Sequence, residues 1–350
     1  MVERVVFAVP GDLATPTGGF AYDRRMIAEL RRLGWTVEVL DLGDGYPRPS
    51  PPTRAAARAQ LAGVPPGRPI VIDGLAFGVL PDVSAVLAHS HRLIALIHHP
   101  LALESGLAAE EAQALHASER AALAGTRHVV ATSQATARLL VRDFAVAPDR
   151  LTVAPPGTDR APPARGSTGG TLALLAVGAI VPRKGYDVLI AALARLADLP
   201  WRLTIAGDRE RDPAAAARLD RDIVRSNLSG RVSVAGAVPA DDLAALYLGA
   251  DLFVLPSRFE GYGMAFAEAI AHGLPVIGTT AGAMPETIAA EAGVLVPPDD
   301  VDALAAALRR LIADADERGR LAAGARAAAA QLPTWAASAA LFAGAIEAAR

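Results

Sequence analysis

The stretch at residues 251–278 reads DLFVLPSRFEGYGMAFAEAIAHGLPVIG and combines the elements that decide the fold. Its apolar run Leu252–Leu255 predicts a buried strand that ends at a proline turn. Gly261 and Gly263 then allow the backbone to pass close to a ligand, and a helix is predicted over Met264–Ala271. A second apolar run closes the stretch. Strand, glycine loop, helix and strand in this order are typical of a βαβ unit in a parallel sheet.

The same alternation of short apolar runs and Ala-, Leu- and Arg-rich helical patterns extends along the chain. The runs are continuous, as expected for strands covered on both faces, and they predict doubly wound parallel sheets. The other predicted strands are Val5–Val9, Val37–Leu40, Ile70–Ile72, Leu93–Ile97, His128–Ala131, Leu151–Val153, Leu172–Val177, Arg202–Ala206, Val232–Val234 and Val276–Gly278. The other predicted helices are Phe20–Leu33, Glu110–Ala124, Gln134–Asp143, Asp187–Ala197, Pro213–Arg225 and Ala240–Leu248.

The length of 350 residues suggests two domains, at roughly 100–200 residues each. The Pro-, Gly- and Ser-rich segment Asp159–Gly170 lies between two strand–helix series and is the predicted linker. The predicted architecture is α/β, with two Rossmann-like domains at residues 1–165 and 171–333 that face each other across a cleft. The last helix, at residues 334–350, is free in this interpretation to pack on either domain, including back on the N-terminal one.

The composition excludes several classes of protein and of site. With 52% hydrophobic residues a large core can be buried, and without cysteine there is no disulfide and no thiolate chemistry. A net charge of −3 without a basic block argues against nucleic-acid binding. No signal peptide and no membrane-spanning apolar run are recognisable, so the expected location is the cytoplasm.

Four arginines lie on one predicted helix near the N-terminus: Arg24, Arg25, Arg31 and Arg32. A solvated helix face is the favoured interpretation, and peripheral contact with an anionic membrane is the alternative. Lys184 is the single lysine among 34 Lys and Arg residues. Because an ammonium is a compact charge and a guanidinium a broad fork, a tight phosphate pocket can require lysine at that position.

Two carboxylates flank the glycine loop of the first stretch. Glu260 precedes the loop and Glu268 lies about one turn inside the helix, so both are expected in a cleft at the carboxyl ends of parallel strands. The N–H groups and positive dipole end of the helix suit a phosphate, and the carboxylates suit hydroxyl groups. The alternative is a purely structural interpretation, in which Glu260 caps the helix and Glu268 is exposed to solvent. Asp300 and Asp302, which match an Asp-x-Asp metal motif, are interpreted as a helix start.

The motif Glu-x7-Glu formed by Glu260 and Glu268, with Gly-Tyr-Gly after the first and Ala-x-x-x-Gly-Leu-Pro-Val-Ile after the second, resembles the signature of family 4 retaining glycosyltransferases of the GT-B fold. The resemblance covers most of the chain. Its other parts are Thr17–Gly18–Gly19, His98, Pro156–Gly157, Val177–Gly178, Lys184–Gly185 and Ala206–Gly207–Asp208.

The resemblance implies a role for each matching residue of the second domain. Glu268 would bind the ribose, Glu260 the donor sugar hydroxyls, and Lys184 the diphosphate, as catalytic or donor-binding groups. The backbone at Gly261, Tyr262, Gly263, Met264 and Ala265 would complete the donor site. Many family members carry an arginine where this chain has Ala179, so neighbouring Arg183 is the weaker candidate for a second diphosphate cation.

In the first domain, Gly18 and Gly19 would contact the donor, although an ordinary βα turn would use the same residues. His98 at a strand end would be catalytic and contact the donor hexose, with a packing histidine as the alternative. A zinc site of His98, His99 and Glu104 is disfavoured because adjacent residues of a strand point to opposite faces. No metal and no cofactor are expected.

The predicted function is a retaining hexosyltransferase that moves a sugar from GDP-mannose or UDP-glucose to an unidentified acceptor hydroxyl. Its expected route is metal-independent front-side displacement, with charge stabilisation of the leaving diphosphate. The expected partners are a nucleotide-sugar and the acceptor. The alternatives are another GT-B activity, such as a sugar-nucleotide epimerase or a phosphorylase, and a non-catalytic nucleotide-sugar-binding subunit.

Overall fold

A computed structural model describes residues 3–349. The chain divides into two compact units. Unit 1 comprises the residues up to Gly157 together with those from Pro333 onward, and unit 2 comprises Thr158–Leu332. Each unit is built on one six-stranded sheet.

All strand pairs in both sheets are parallel, and helices connect most consecutive strands. The strands are β1 (Arg4–Val9), β2 (Thr36–Asp41), β3 (Pro69–Asp73), β4 (Arg92–Ile97), β5 (His128–Ala131), β6 (Leu151–Val153), β7 (Leu172–Val177), β8 (Trp201–Ala206), β9 (Val232–Gly236), β10 (Leu252–Val254), β11 (Val276–Thr279) and β12 (Gly293–Val296). The helices are α1 (Gly18–Arg32), α2 (Pro51–Ala62), α3 (Gly74–Phe77), α4 (Pro81–Leu87), α5 (Ala109–Ala124), α6 (Gln134–Phe144), α7 (Tyr186–Ala194), α8 (Pro213–Arg225), α9 (Ala240–Gly249), α10 (Met264–Ala271), α11 (Met284–Thr287), α12 (Val301–Ala313), α13 (Ala315–Ala329) and α14 (Trp335–Ala348).

The sheet of unit 1 has the order β2-β1-β3-β4-β5-β6. Its central strands β3 and β5 are buried throughout and β4 is buried beyond Arg92, because helices cover both faces of a mostly apolar sheet. The winding direction reverses between β1 and β3. In open α/β sheets ligands bind at such a reversal point, beside the loops that follow these two strands.

The sheet of unit 2 has the order β12-β11-β10-β7-β8-β9, which is the Rossmann order. The large buried side chains Trp201, Phe253 and Phe266 fill its core. Here the winding direction reverses between the adjacent strands β7 and β10. The loops after β7 and β10 thus flank the position where open α/β sheets bind ligands. The predicted fold of two Rossmann-like, doubly wound parallel-sheet domains is confirmed.

The linker-like segment at residues 159–170 is held by unit 2. The N–H of Ala164 donates to the carbonyl of His272 at 2.7 Å, and that of Arg165 to the carbonyl of Leu248 at 2.8 Å. The structural boundary at Gly157 therefore precedes the segment in which the sequence placed it. Its composition is that of a linker, but its backbone groups are paired with unit 2.

The C-terminal helix α14 packs in unit 1, against α1, β5 and β6. Phe342 stacks on Phe7 with ring centroids 6.1 Å apart, and Trp335 lies 5.9 Å from the ring of Tyr22. The side chain of Thr334 caps the helix by accepting from the N–H of Ala337. Unit 1 is thus completed by residues that follow unit 2 in the chain.

Candidate functional site

The loop after β7 brings Lys184 to the reversal point of the sheet in unit 2. A short 3-10 turn at Pro182–Lys184 ends at Gly185, whose φ of +68° lies in the left-handed region that favours glycine. A Cβ at Gly185 would lie 2.1 Å from the carbonyl oxygen of Pro256. Only glycine allows this close approach to the loop after β10, so the position of Lys184 depends on it.

The loop after β10 carries Glu260, whose side chain is 8% exposed. One carboxylate oxygen, Oε1, accepts from Lys184 Nζ at 2.6 Å and from the hydroxyl of Ser257 at 2.7 Å. The other oxygen, Oε2, lies 3.3 Å from Arg183 Nη1. Burial alone would raise the pKa of Glu260, but Lys184, Arg183 and Ser257 outweigh it and lower that pKa to about 2. The carboxylate is therefore ionised and lies between two cations.

Arg183 extends to the same side of the chain as its neighbour Lys184, whereas adjacent side chains of a strand would point to opposite faces. Its Nη1 donates to the carbonyl of Phe259 at 2.9 Å and lies beside Glu260, so both cations approach the same carboxylate. The 3-10 turn explains this, because successive side chains there do not alternate between two faces as they do on a strand.

The N-terminus of α10 follows directly after Glu260. Its N-cap residue, Gly263, has φ +91° and gives no side-chain cap. Among residues 3–349, the N–H groups of Met264 and Ala265 donate to no protein acceptor. Two donors and the positive end of the helix thus lie beside the cations at the reversal point, an arrangement that favours an anion.

The second carboxylate of the motif, Glu268, lies one turn into α10. Its Oε2 accepts from the hydroxyl of Tyr247 at 2.9 Å, and that hydroxyl also lies 3.2 Å from the carbonyl of Ala265. Burial and the charge of Asp159 raise the pKa of Glu268, and the Tyr247 hydroxyl partly opposes this. Glu268 is thus held in one orientation rather than merely exposed, and Glu260 pairs with cations rather than capping α10.

In unit 1 the end of β4 carries His98, which lies above two buried carboxylates. His98 Nε2 is 3.2 Å from Asp23 Oδ1 of α1 and 3.3 Å from Asp73 Oδ2 at the end of β3. Its carbonyl accepts from the hydroxyl of Thr132 at 3.0 Å. The strands β1, β3 and β4 are neighbours, so the parallel topology brings these groups to one edge of the sheet.

Gly19 faces the imidazole of His98. A Cβ at Gly19 would lie 3.3 Å from His98 Cδ2, so the structure explains this glycine by close packing against the ring. Gly18 begins α1, whose N-cap is Thr17. The alternative zinc ligand set is not assembled, because His98 Nε2 faces Asp23 and Asp73 whereas His99 Nε2 lies 3.5 Å from Glu104.

Comparisons with known proteins agree with this architecture. Residues 17–161 match the family model described as Glycosyltransferase Family 4, and residues 171–314 match that described as Glycosyl transferases group 1. The chain belongs to the family 4 glycosyltransferases.

Individual relatives of this family 4 chain differ in length and in name. It is 28% identical to the MMP alpha-(1->4)-mannosyltransferase of Mycolicibacterium hassiacum. The alignment covers 83% of this chain and 73% of that relative. It is 34% identical to the D-inositol 3-phosphate glycosyltransferase of Xylanimonas cellulosilytica. That alignment covers 60% of this chain and 54% of the relative. The chain thus spans about half the length of some curated relatives that it matches.

Two solved structures share the GT-B fold of the family. The sucrose-phosphate synthase of Thermosynechococcus elongatus superimposes with a TM-score of 0.82 at 24% identity, covering 98% of both chains. Anabaena HepE in complex with UDP and glucose gives a TM-score of 0.78 at 18% identity, covering 99% of both chains. At these identities the likeness concerns the fold.

Four polar residues of this family 4 chain were missed by sequence reasoning: Asp23, Asp73, Tyr247 and Ser257. Asp73 ends an apolar strand, and that position was a usable signal for a site residue. Asp23 and Tyr247 lie within helices, where no pattern distinguishes them from surface residues. Ser257 was interpreted only as part of a turn.

The arginines of α1 are engaged within the protein. Arg24 donates to the carbonyl of Leu13, Arg31 donates to that of Val37, and Arg32 pairs with Glu29. Arg25 lies over the ring of Trp335, 5.0 Å from its centroid. These contacts give the arginines structural roles. No helix within residues 3–349 is both long and apolar enough to cross a membrane.

Proposed function

We propose that the chain transfers a hexose, with retention of configuration, from a nucleoside-diphosphate sugar to an acceptor hydroxyl. The observation that carries the proposal is the convergence of Lys184, Arg183 and the N-terminus of α10 at the reversal point of unit 2. Two cations and unpaired N–H donors form a site for an anion with several oxygens, such as a diphosphate. HepE, which shares the fold, was solved with UDP and glucose.

In this proposal Lys184 and the N–H groups of Met264 and Ala265 bind the diphosphate, and Arg183 replaces the arginine that many family members carry at the position of Ala179. Glu260 holds the donor sugar hydroxyls through its carboxylate, which stays ionised because of the two cations. Glu268, oriented by Tyr247, accepts from the ribose hydroxyls. The backbone of Gly261, Tyr262 and Gly263 lines the sugar, and His98 contacts the hexose.

The proposed reaction proceeds by front-side displacement. The bond from the anomeric carbon to the diphosphate oxygen breaks as the acceptor oxygen attacks from the same face, and the departing phosphate takes the acceptor proton. Lys184 and Arg183 stabilise the charge that develops on the leaving diphosphate, which is the task that Mg²⁺ performs in many other phosphate-handling enzymes. Catalysis then depends on positioning and fixed charge, and metal is not required.

The test begins with thermal shifts of the whole chain in UDP, GDP, UDP-glucose and GDP-mannose, because a ligand that binds the folded state raises the melting temperature. The donor that binds is then used in transfer assays with sugar-phosphate and polyol acceptors, with and without EDTA. Transfer with retention in EDTA is the expected result. Donor interconversion without an acceptor would establish an epimerase instead. Donor binding without hydrolysis or transfer would favour a binding subunit.

A further inference from the structure

Two carboxylates, those of Asp23 and Asp73, lie beside the single imidazole of His98, although one would be enough to balance its charge. Asp23 is fully buried, and the side chain of Asp73 is 3% exposed. Both place a carboxylate oxygen within 3.3 Å of the same ring atom, Nε2. That atom carries at most one hydrogen, and an unprotonated nitrogen there would face two oxygen lone pairs. Nε2 must therefore be a donor.

The two carboxylates differ in their other contacts. Asp73 Oδ1 accepts from the N–H of Leu75 at 2.6 Å and caps α3, which stabilises its ionised form. Asp23 Oδ2 is buried and has no hydrogen-bond partner among residues 3–349. An anionic oxygen in that position would be costly, so Asp23 is the group expected to carry a proton. The pair then holds one proton and one negative charge.

The rest of the ring is fixed but not enclosed. Tyr22 packs edge-on, with ring centroids 5.3 Å apart at 80°, and Gly19 covers the Cδ2 edge. The side chain of His98 is 20% exposed, and within residues 3–349 no group hydrogen-bonds to its Nδ1. Because the Nε2 edge faces the carboxylates, the accessible edge is the one that bears Nδ1.

We propose that Asp23 and Asp73 are positioning residues that share one proton, hold His98 as an imidazolium, and so present its Nδ1–H as a fixed cationic donor to a substrate oxygen. The identity of that oxygen rests on the proposed transfer reaction, whereas the charge state of the ring does not. An imidazolium cannot take a proton from an acceptor hydroxyl. The role of His98 is therefore charge donation rather than base catalysis.

The pKa directions agree with this geometry. Burial lowers the pKa of His98, but hydrogen bonds and charges from Asp23 and Asp73 raise it to about 10. Burial and the charge of Asp73 raise the pKa of Asp23 to about 7. The pKa of Asp73 is lowered, because His98 and Leu75 outweigh its burial. Among the described residues, the titratable groups that face the ring are these two carboxylates and the phenol of Tyr22, whose pKa lies well above its usual range because of burial.

The direct test is ¹⁵N NMR of the imidazole rings in the full chain, with the His98 signals assigned through His98→Gln. Asp23→Asn mimics the protonated acid, and Asp73→Asn keeps an acceptor for Leu75. Each single variant retains one carboxylate, and the double variant retains none. In wild type we expect a titration midpoint near 10. In Asp23→Asn we expect a lower midpoint that stays above about 6.5, since the charge of Asp73 remains. In the double variant we expect it below about 6.5, since only burial remains.

A neutral His98 ring in wild type at pH 7.5 would overturn the proposal, and so would an unchanged midpoint in the double variant. A stoichiometric metal ion, found by elemental analysis and lost in the double variant, would also overturn it, since the ion would replace the shared proton. The NMR result needs no substrate, so it stands apart from failure of the transfer reaction. With a working assay, the double variant should lower kcat about 100-fold, and Asp23→Asn should lower it less, because the charge of Asp73 remains beside His98.

Discussion

Two buried charge clusters, one in each unit, use the same chemical groups in opposite proportions. In unit 2 a single carboxylate, Glu260, lies between Lys184 and Arg183. In unit 1 a single imidazole, His98, lies above Asp23 and Asp73. Both clusters occupy the carboxyl edge of their sheet at the point where the winding direction reverses. The fold therefore fixes where charge gathers, and the side chains decide its sign.

The opposite proportions give opposite responses to pH. The pKa of Glu260 is lowered to about 2, so its stabilising effect is present above about 4.5 and is lost as the pH falls toward 2. The pKa of Asp23 is raised to about 7 and that of His98 to about 10, so their stabilising effects are lost as the pH rises through those values. Acid weakens the cluster of unit 2, and base weakens that of unit 1.

The largest effect is expected from Lys184→Met, which removes the ammonium but keeps an apolar stem. Activity should fall about 100- to 1,000-fold, because the leaving diphosphate loses a fixed cation. The measurement is kcat/KM for sugar transfer at pH 7.5. The matched control is Arg309→Ala, which removes an exposed ion pair with Asp198 in the same unit and should leave activity unchanged. Full activity of Lys184→Met would refute its role.

Next comes the stability of Glu260→Gln, which leaves two cations beside a neutral amide. Urea unfolding at pH 7 should show a loss of about 3 kcal/mol relative to wild type, from the lowered pKa of Glu260. The difference should shrink as the pH falls from 4.5 toward 2, since wild-type Glu260 then becomes protonated as well. A difference that is constant with pH would mean that the two cations do not hold this carboxylate.

A smaller effect of opposite sign is expected in unit 1. The stability of wild type should decline between about pH 4 and 7 as Asp23 is forced to ionise, whereas Asp23→Asn should lack this decline. The lowered pKa of Asp73 acts below about pH 4 and in both proteins, so it cancels from the difference, which is expected on the order of 1 kcal/mol. Urea titrations of both proteins across this range measure it. Parallel curves would show that Asp23 is not the protonated member.

Arg183→Ala tests the contribution of the second cation in unit 2, because it leaves Glu260 with Lys184 alone. We expect about a tenfold loss of donor affinity, since Arg183 is the second of two charges that approach the same carboxylate. The measurement is the shift in melting temperature with the nucleoside diphosphate that wild type binds. If the affinity is unchanged, the absence of arginine at Ala179 is not compensated by Arg183.

The smallest effect is expected at Glu119, a buried carboxyl that has no cation beside it among residues 3–349. It accepts from the N–H of Leu101 at 3.0 Å, and burial raises its pKa to about 8, so it is mostly neutral at pH 7. Glu119→Gln should therefore change the free energy of unfolding by less than about 0.5 kcal/mol at pH 7. A loss above about 2 kcal/mol would indicate an ionised carboxylate with an unrecognised partner.

Most of the fold followed from the apolar runs, because a strand covered on both faces leaves an unambiguous pattern. β12 was missed: Gly293–Val296 is short, begins with glycine and lies at a sheet edge. α2 is absent from the predicted helices, and it begins with two prolines, Pro51 and Pro52. These prolines lie at the first helical positions, after a Ser50 cap, where proline is well tolerated.

Some residues of the candidate site could likewise be predicted from the sequence, and others could not. The resemblance assigned Lys184 and Glu260 to one donor site, but the ion pair between them was not predicted. Asp23 and Asp73 are 50 residues apart and meet only because β1 and β3 are neighbours in the sheet. No local sequence pattern specifies the order of strands in a sheet, so the contacts of His98 with these two carboxylates could not be predicted.

The return of α14 to unit 1 has a consequence for biosynthesis. All strands of the N-terminal sheet have been made once Val153 has been added, but the helix that carries Phe342 onto Phe7 is made only after the whole of unit 2. Unit 2 is continuous in sequence, so all of its residues are synthesised before α14. The unit whose synthesis begins first is therefore the unit whose last helix is synthesised last.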